Sequence, residues 1–270
     1  MDAFASLIKK RFNELLSLYG YSTWRNVYYK IANDCMCIFI SIQGTYSKLY
    51  DLDINIDIVP YCAEIKDYNI DDDAPPIDIF INSLMSREDA KNFEQTLYSG
   101  SEETANNKLE LMLSSFNGVI LPYIDKCIDL NFYYDEYKTI LENAGVKRIK
   151  EDPYLFGLSI KLYQFDDAIL QVDSKLSQCR IALTKASTEV MAIESGKIPR
   201  DLLIIQKMKP KIVETELRLS KGVIKRKEEE IEKFKLLREA LVSKEINYLD
   251  NYIKEIEHNS REYINKMLRG

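Results

Sequence analysis

Histidine is almost missing from this chain: one in 270 residues, beside 9 glycines, 7 prolines and 1 tryptophan. A site built on two or more histidines is therefore excluded, which removes most zinc-hydrolase and facial-triad iron centres. A Ser-His-Asp or Cys-His device would have to use His258. The glycines are scattered, and neither G-x-x-x-x-G-K-[ST] nor G-x-G-x-x-G occurs, so no loop of that type cradles phosphate. Apolar runs all fall short of the ~18 residues a membrane span needs. The opening MDAFASLIKKRF lacks the pattern of a signal peptide, so none is expected.

Cysteine is sparse as well. The five are Cys35, Cys37, Cys62, Cys127 and Cys179, an odd number at irregular spacing with no C-x-x-C. They read as free thiols of a reducing compartment, and a cytoplasmic location is expected.

What is present is globular: 46% hydrophobic and 30% charged residues, with 18 tyrosines. The net charge of -6 is uneven. Residues 1–83 hold 7 Lys/Arg and 12 Asp/Glu, residues 84–150 hold 8 and 11, and residues 151–270 hold 22 and 20. An acidic front repels phosphate, so no nucleic-acid partner is expected. The tail is balanced, and mixed-sign helices of this kind are solvated. Within it, the basic stretch Lys221–Arg226 is followed by Glu228, Glu229 and Glu230, which are expected to pair with it at i,i+4 spacing.

Hydrophobic spacing divides the chain in two. Phe4, Leu7, Ile8, Phe12, Leu15, Leu16 and Tyr19 share one helical face, and Gly20 supplies a stop. Arg25–Ile31 alternates as a strand, and Asn33-Asp34 is a turn signal. Cys35–Gln43 is apolar on both faces, which suggests a central strand. Leu49–Val59 alternates strictly, with Leu52, Ile54, Ile56 and Ile58 on one side and Asp51, Asp53, Asn55 and Asp57 on the other. Short turns make these strands an antiparallel meander covered by the first helix. Residues 77–81 read as a further short strand.

From Ser86 the period becomes helical. Helices are expected from Ser86 to about Tyr98, from Glu102 to about Leu130 with a kink at Pro122, and over Phe132–Asn143. Tyr154–Tyr163 and Ala168–Glu194 follow, then Asp201–Lys209. A helix of about 55 residues is expected from Lys211 to Met267. Its seam runs through Val213, Leu217, Ile224, Ile231, Ile246, Leu249, Ile253, Ile256, Tyr263 and Met267, with Lys227, Arg238 and Ser260 as polar flaws. Such a seam calls for coiled-coil pairing, inside the chain or in a homodimer. The reading is an α+β fold: a small antiparallel sheet domain over 1–83, then a helical domain over 84–270 ending in a long helix or coiled-coil hairpin.

The first 60 or so residues resemble a bacterial family, domain of unknown function 4304. The resemblance rests on the opening amphipathic helix, Leu18-Tyr19-Gly20-Tyr21 and Val27-Tyr28-Tyr29-Lys30-Ile31. It continues through Ile40-Ser41-Ile42-Gln43-Gly44-Thr45-Tyr46-Ser47 and Ile54-Asn55-Ile56-Asp57-Ile58-Val59-Pro60. Tyr21 stands where the family usually has Phe. The resemblance implies an α+β domain of a cytosolic bacterial protein and carries no activity with it. Residues 155–178, with Gly157, Asp166-Asp167 and Ala168-Ile169-Leu170, resemble a single tetratricopeptide-type unit without a second copy.

Two functions follow as expectations. The first is a non-enzymatic protein-interaction protein with no cofactor. It binds a protein partner through the polar face at Asp51, Asp53 and Asp57 or through the helical seam. An acidic face suits a basic partner such as a toxin or nuclease, which by analogy suggests an immunity or defence role. The second is a divergent Mg-dependent nucleotidyltransferase. Gly44-Thr45, Asp51-Leu52-Asp53-Ile54 and Pro76-Ile77-Asp78-Ile79 can be laid on that family's pattern, in which Asp51, Asp53 and Asp78 hold the metal. The short spacer after Gly44-Thr45 and the strand order weigh against it, and the plainer reading of these aspartates is a solvated strand face. Asp71-Asp72-Asp73 reads as a solvated loop and His258 as a surface residue. Cys35 and Cys37 read as strand packing, and Tyr19, Tyr21, Trp24, Tyr28 and Tyr29 as core and edge packing.

Overall fold

A computed structural model describes residues 3–46, 50–63, 65, 102–144, 152–198 and 211–270. The fold is α+β, a four-stranded antiparallel sheet with helices. The chain divides into two compact units. One comprises Met1–Asn143, Pro153–Leu158 and Ile253–Gly270, and the other Ala144–Asp152 and Ser159–Tyr252. The boundary expected near residue 83 lies outside the described residues, as do the strand expected at 77–81, the helix at 86–98 and Asp71–Asp73.

In the first unit, α1 (Ala3–Leu18) buries Ile8, Phe12 and Leu16. It ends at Gly20, whose φ of 79° lets the Tyr21 N–H reach back to the Leu16 carbonyl at 3.1 Å. The strands β1 (Ser22–Trp24), β2 (Val27–Ala32), β3 (Met36–Tyr46) and β4 (Tyr50–Pro60) then pair in sequence order, each antiparallel to the next. The short β1 was not expected, because three residues carry no alternation to read. Asn33 and Asp34 both have positive φ, and the Cys35 N–H closes the turn on the Ala32 carbonyl. Strand β3 is central, and Cys37, Ile38, Phe39 and Ile40 are each at most 1% exposed.

The expected solvated face of β4 is a correction. Asp57 is only 5% exposed, opposite Phe39 on β3. The reason is a second covering layer. Cys37, Phe39, Val59, Tyr61 and Ile65 pack with Ile264 of the last helix, flanked by Tyr263, Met267 and Leu268. On the opposite face Tyr28 donates its hydroxyl to the Lys9 carbonyl of α1. Both faces are thus covered over the described part of β4, where Ile54 and Ile56–Pro60 are buried and Asn55 is half-buried.

The helix expected over Glu102–Leu130 is broken upstream of Pro122. It is α2 (Glu102–Ser115), a π-helical turn (Phe116–Ile120) and α3 (Leu121–Cys127). Pro122 has no N–H to give Gly118, and its ring would crowd that carbonyl, so the widened turn accommodates it. Phe116 stays buried and meets Phe12 of α1 edge-to-face at 5.5 Å. Helix α4 (Leu130–Ala144) follows, and its Tyr133 donates to the Ile58 carbonyl at 3.1 Å. In α5 (Pro153–Lys161), Gly157 lies against the strand exit. A Cβ there would stand 2.1 Å from the Cys62 carbonyl oxygen, so only glycine fits.

The remaining helices are α6 (Phe165–Glu194), α7 (Ile212–Ser243) and α8 (Ile246–Arg269). The single helix expected over 211–267 is therefore corrected to two. Lys244 adopts a left-handed conformation, and the Glu245 N–H bonds the Ala240 carbonyl at 2.8 Å. This is a helix stop with lysine where glycine is usual. Among the described residues no helix is long and apolar enough to cross a membrane.

Candidate functional site

The acidic strand is one candidate. Asp51, Asp53 and Asp57 pair with Thr45, Gln43 and Phe39 on β3, at alternate positions of β4. Asp78 lies outside the described residues, as do the side chains of Asp51 and Asp53, so the set proposed for magnesium falls outside them. Asp57 is withdrawn from solvent beneath the last helix.

What the sequence reading missed is the polar row that α8 lays against the sheet unit. Ile253, Glu257, Ser260 and Ile264 recur at four- and three-residue steps, and all four are buried. Ser260, read as a flaw, donates its hydroxyl to the Ala63 carbonyl at 2.8 Å and accepts the Ile65 N–H at 3.4 Å. It ties the strand exit to the helix. The Arg261 guanidinium lies 5.5 Å from the Tyr61 ring centre. The signal was available in the spacing, but a polar residue on an apolar seam reads as a defect until its partner is known.

The cysteines are free thiols. Burial pushes the Cys37 thiol up to about 12, against the opposing hydrogen bond from Tyr61. Burial likewise pushes Cys127 up to about 12. Both stay protonated near neutral pH and are poor nucleophiles. His258 is exposed on α8. Among the described residues no group of three or more His, Cys, Asp or Glu side chains is placed to hold a metal ion. Tyr21 and Tyr28 are buried, and Tyr29 packs against the sheet core.

The second unit offers a different surface. Val172, Leu176, Cys179, Leu183, Ala186, Val190 and Ile193 of α6 recur at alternating four- and three-residue steps, buried or half-buried. Val213, Leu217, Ser220, Ile224, Lys227, Ile231, Phe234, Arg238 and Leu241 do the same on α7. Cross-helix pairs fix the direction. Asp173 accepts from Arg238 at 2.7 Å, Cys179 donates to Glu230 at 3.3 Å, and Lys221 reaches Glu194 at 2.8 Å. Numbers rise on one helix as they fall on the other, so the two run antiparallel.

The two charged flaws in the seam thus have partners. Arg238 meets Asp173, and Lys227 donates to Glu230 at 2.5 Å. Burial raises the Glu230 carboxyl, but hydrogen bonds from Lys227 and Cys179 outweigh it and hold the group below its usual range.

The expected i,i+4 neutralisation of the basic stretch is corrected in part. Lys225–Glu229 spans 4.0 Å between side chains 80% and 67% exposed, which contributes little. Lys221 turns to the other helix instead. Charge is also graded along the pair. Residues 180–198 and 211–227 together hold 9 Lys/Arg and 4 Asp/Glu, a difference of +5. Residues 165–179 and 228–243 together hold 4 and 8, a difference of -4. The helix pair therefore has a basic end and an acidic end.

No family model matches the chain, and neither a curated protein nor a solved structure matches it.

Proposed function

We propose that this is a non-enzymatic protein-interaction protein whose binding element is the α6–α7 helix pair. One observation carries the reading: the pair buries its seam inside one chain and leaves its flanks exposed. A second copy is not required to cover that seam, so the unit binds with its outer surface. The described part of β4 is less suited to the task, because it is covered on both sides and Asp57 is buried. Five free cysteines support a cytoplasmic location.

Two measurements test it. Calorimetry with Mg²⁺ or Mn²⁺ plus a nucleoside triphosphate is expected to show no saturable binding. Metal-dependent nucleotide binding that Asp53→Ala abolishes would instead establish the nucleotidyltransferase reading. A photo-crosslinking residue at exposed Thr188 of α6 is expected to capture a discrete protein in cells, and one at exposed Asn13 of α1 is not. The reverse pattern would place the interaction on the sheet unit.

A further inference from the structure

The charge gradient along the helix pair is sharper on one flank than composition suggests. Lys211, the N-cap of α7, and Arg218 and Lys225 within it are seven residues apart, so they follow one line along the helix, each exposed. Arg218 and Lys225 directly follow the seam residues Leu217 and Ile224. Lys221 follows the seam residue Ser220 and bonds Glu194, which follows the seam residue Ile193. That bond shows which flank of α6 adjoins the row. Arg180, which follows the seam residue Cys179, is exposed on the same flank. Met191, 69% exposed, belongs to it as well, following the seam residue Val190. Among the described residues Arg180, Lys211 and Arg218 make no ion pair.

Cations one heptad apart are separated by about 10.5 Å along a helix. A partner helix repeats its own side chains at the same interval. We propose that this flank docks an acidic amphipathic α-helix of a protein partner, with carboxylates over Lys211, Arg218 and Lys225 and an apolar side chain over Met191. The inference rests on the helix pair being the binding element and names the partner's chemistry. A nucleic acid fits less well. Glu194, Glu214 and Glu228 lie on the same flank and would repel a continuous phosphate chain. Residues 180–227 contain no aromatic side chain on which a base could stack. A helix can place neutral or basic residues opposite those glutamates, and a phosphate backbone cannot.

The test uses the full chain and fluorescence anisotropy. The probes are a synthetic helical peptide of about three heptads with glutamates at heptad spacing beside a leucine, the same peptide with lysines for the glutamates, unstructured polyglutamate, and a short DNA duplex. The acidic helix is expected to bind, to weaken with added salt, and to bind at least ten-fold more weakly to the triple variant Lys211→Glu, Arg218→Glu, Lys225→Glu. These positions are exposed, so circular dichroism of the variant is expected to match wild type. No binding of the acidic helix, equal binding of polyglutamate, tighter binding of DNA, or indifference to the triple variant would each overturn the proposal. A crosslinked partner captured through Thr188 would still sustain the interaction reading in those cases, so the two failures are distinguishable.

Discussion

The sheet unit and the helix pair solve burial in opposite ways. The central strands of the sheet are covered on both sides, so even polar members such as Asp57, Glu257 and Ser260 are drawn inside, each 7% exposed or less. The helix pair buries a seam, together with Ala168, Gln171, Leu237 and Ala240 near one end, and leaves much of its outer surface in water, including Ile181 at 66% and Leu236 at 55% exposure. Along much of the helix pair the outer faces meet water, whereas the central strands of the sheet are covered on both sides. Substitutions should therefore cost much in the first unit and little on the flanks of the second, which leaves those flanks free for recognition.

That contrast can be broken in three places. The largest effect is expected at Ile264, which is fully buried against Phe39 and Val59. Ile264→Ala should cost about 2–5 kcal/mol. Urea unfolding followed by the fluorescence of Trp24, the single tryptophan and a residue of β1, measures it. An unchanged midpoint would mean that the last helix is not part of the sheet's core.

The intermediate case is Glu230. Its folded carboxyl is held below the ordinary value of 4.5, mainly by Lys227 and Cys179 against the effect of burial. A depressed carboxyl stabilises the fold fully above the unfolded value, and that contribution is lost as pH falls through the folded value. Glu230→Gln is therefore expected to flatten the loss of helix stability on the acid side, below about pH 5, and to remove the Lys227 ion pair at neutral pH. Thermal melts followed by circular dichroism at several pH values would show this. A steeper acid decline in the variant would contradict the assignment.

The smallest effect is expected for Ile181→Gln with Leu236→Gln. Both residues point away from the seam, and the double variant should stay within about 0.5 kcal/mol per site of wild type. A large drop in the melting temperature would show that something covers those faces.

Much of this was legible in the sequence, for local reasons. Gly20 and Gly196 mark helix ends, and both take positive φ there. Asn33-Asp34 marks its turn by the same conformational preference. Tyr163 and Lys244 end α5 and α7 in the same left-handed conformation, but neither residue type announces it. So the stop at Tyr163 was placed by its neighbours, and the one at Lys244 was missed. Of the candidate site, the alternate positions of Asp51, Asp53 and Asp57 on β4 followed from the pattern. The flank of cations did not, because its line exists only once the α6–α7 seam says which way each helix faces.

By itself, then, the sequence determined the α+β class, the strand alternation, the central position of β3 and the seam positions of the long helices. Each of these follows from side-chain periodicity along one element. Only the tertiary structure decided which elements meet. It placed α8 over the Asp57 face, turned Ser260 from a flaw into an anchor, and paired α6 with α7 inside the chain. The physical reason is that a strand face or helix stripe records only that it must be covered. What covers it depends on contacts between residues far apart in the chain, such as Ser260 and Ala63, 197 positions from each other.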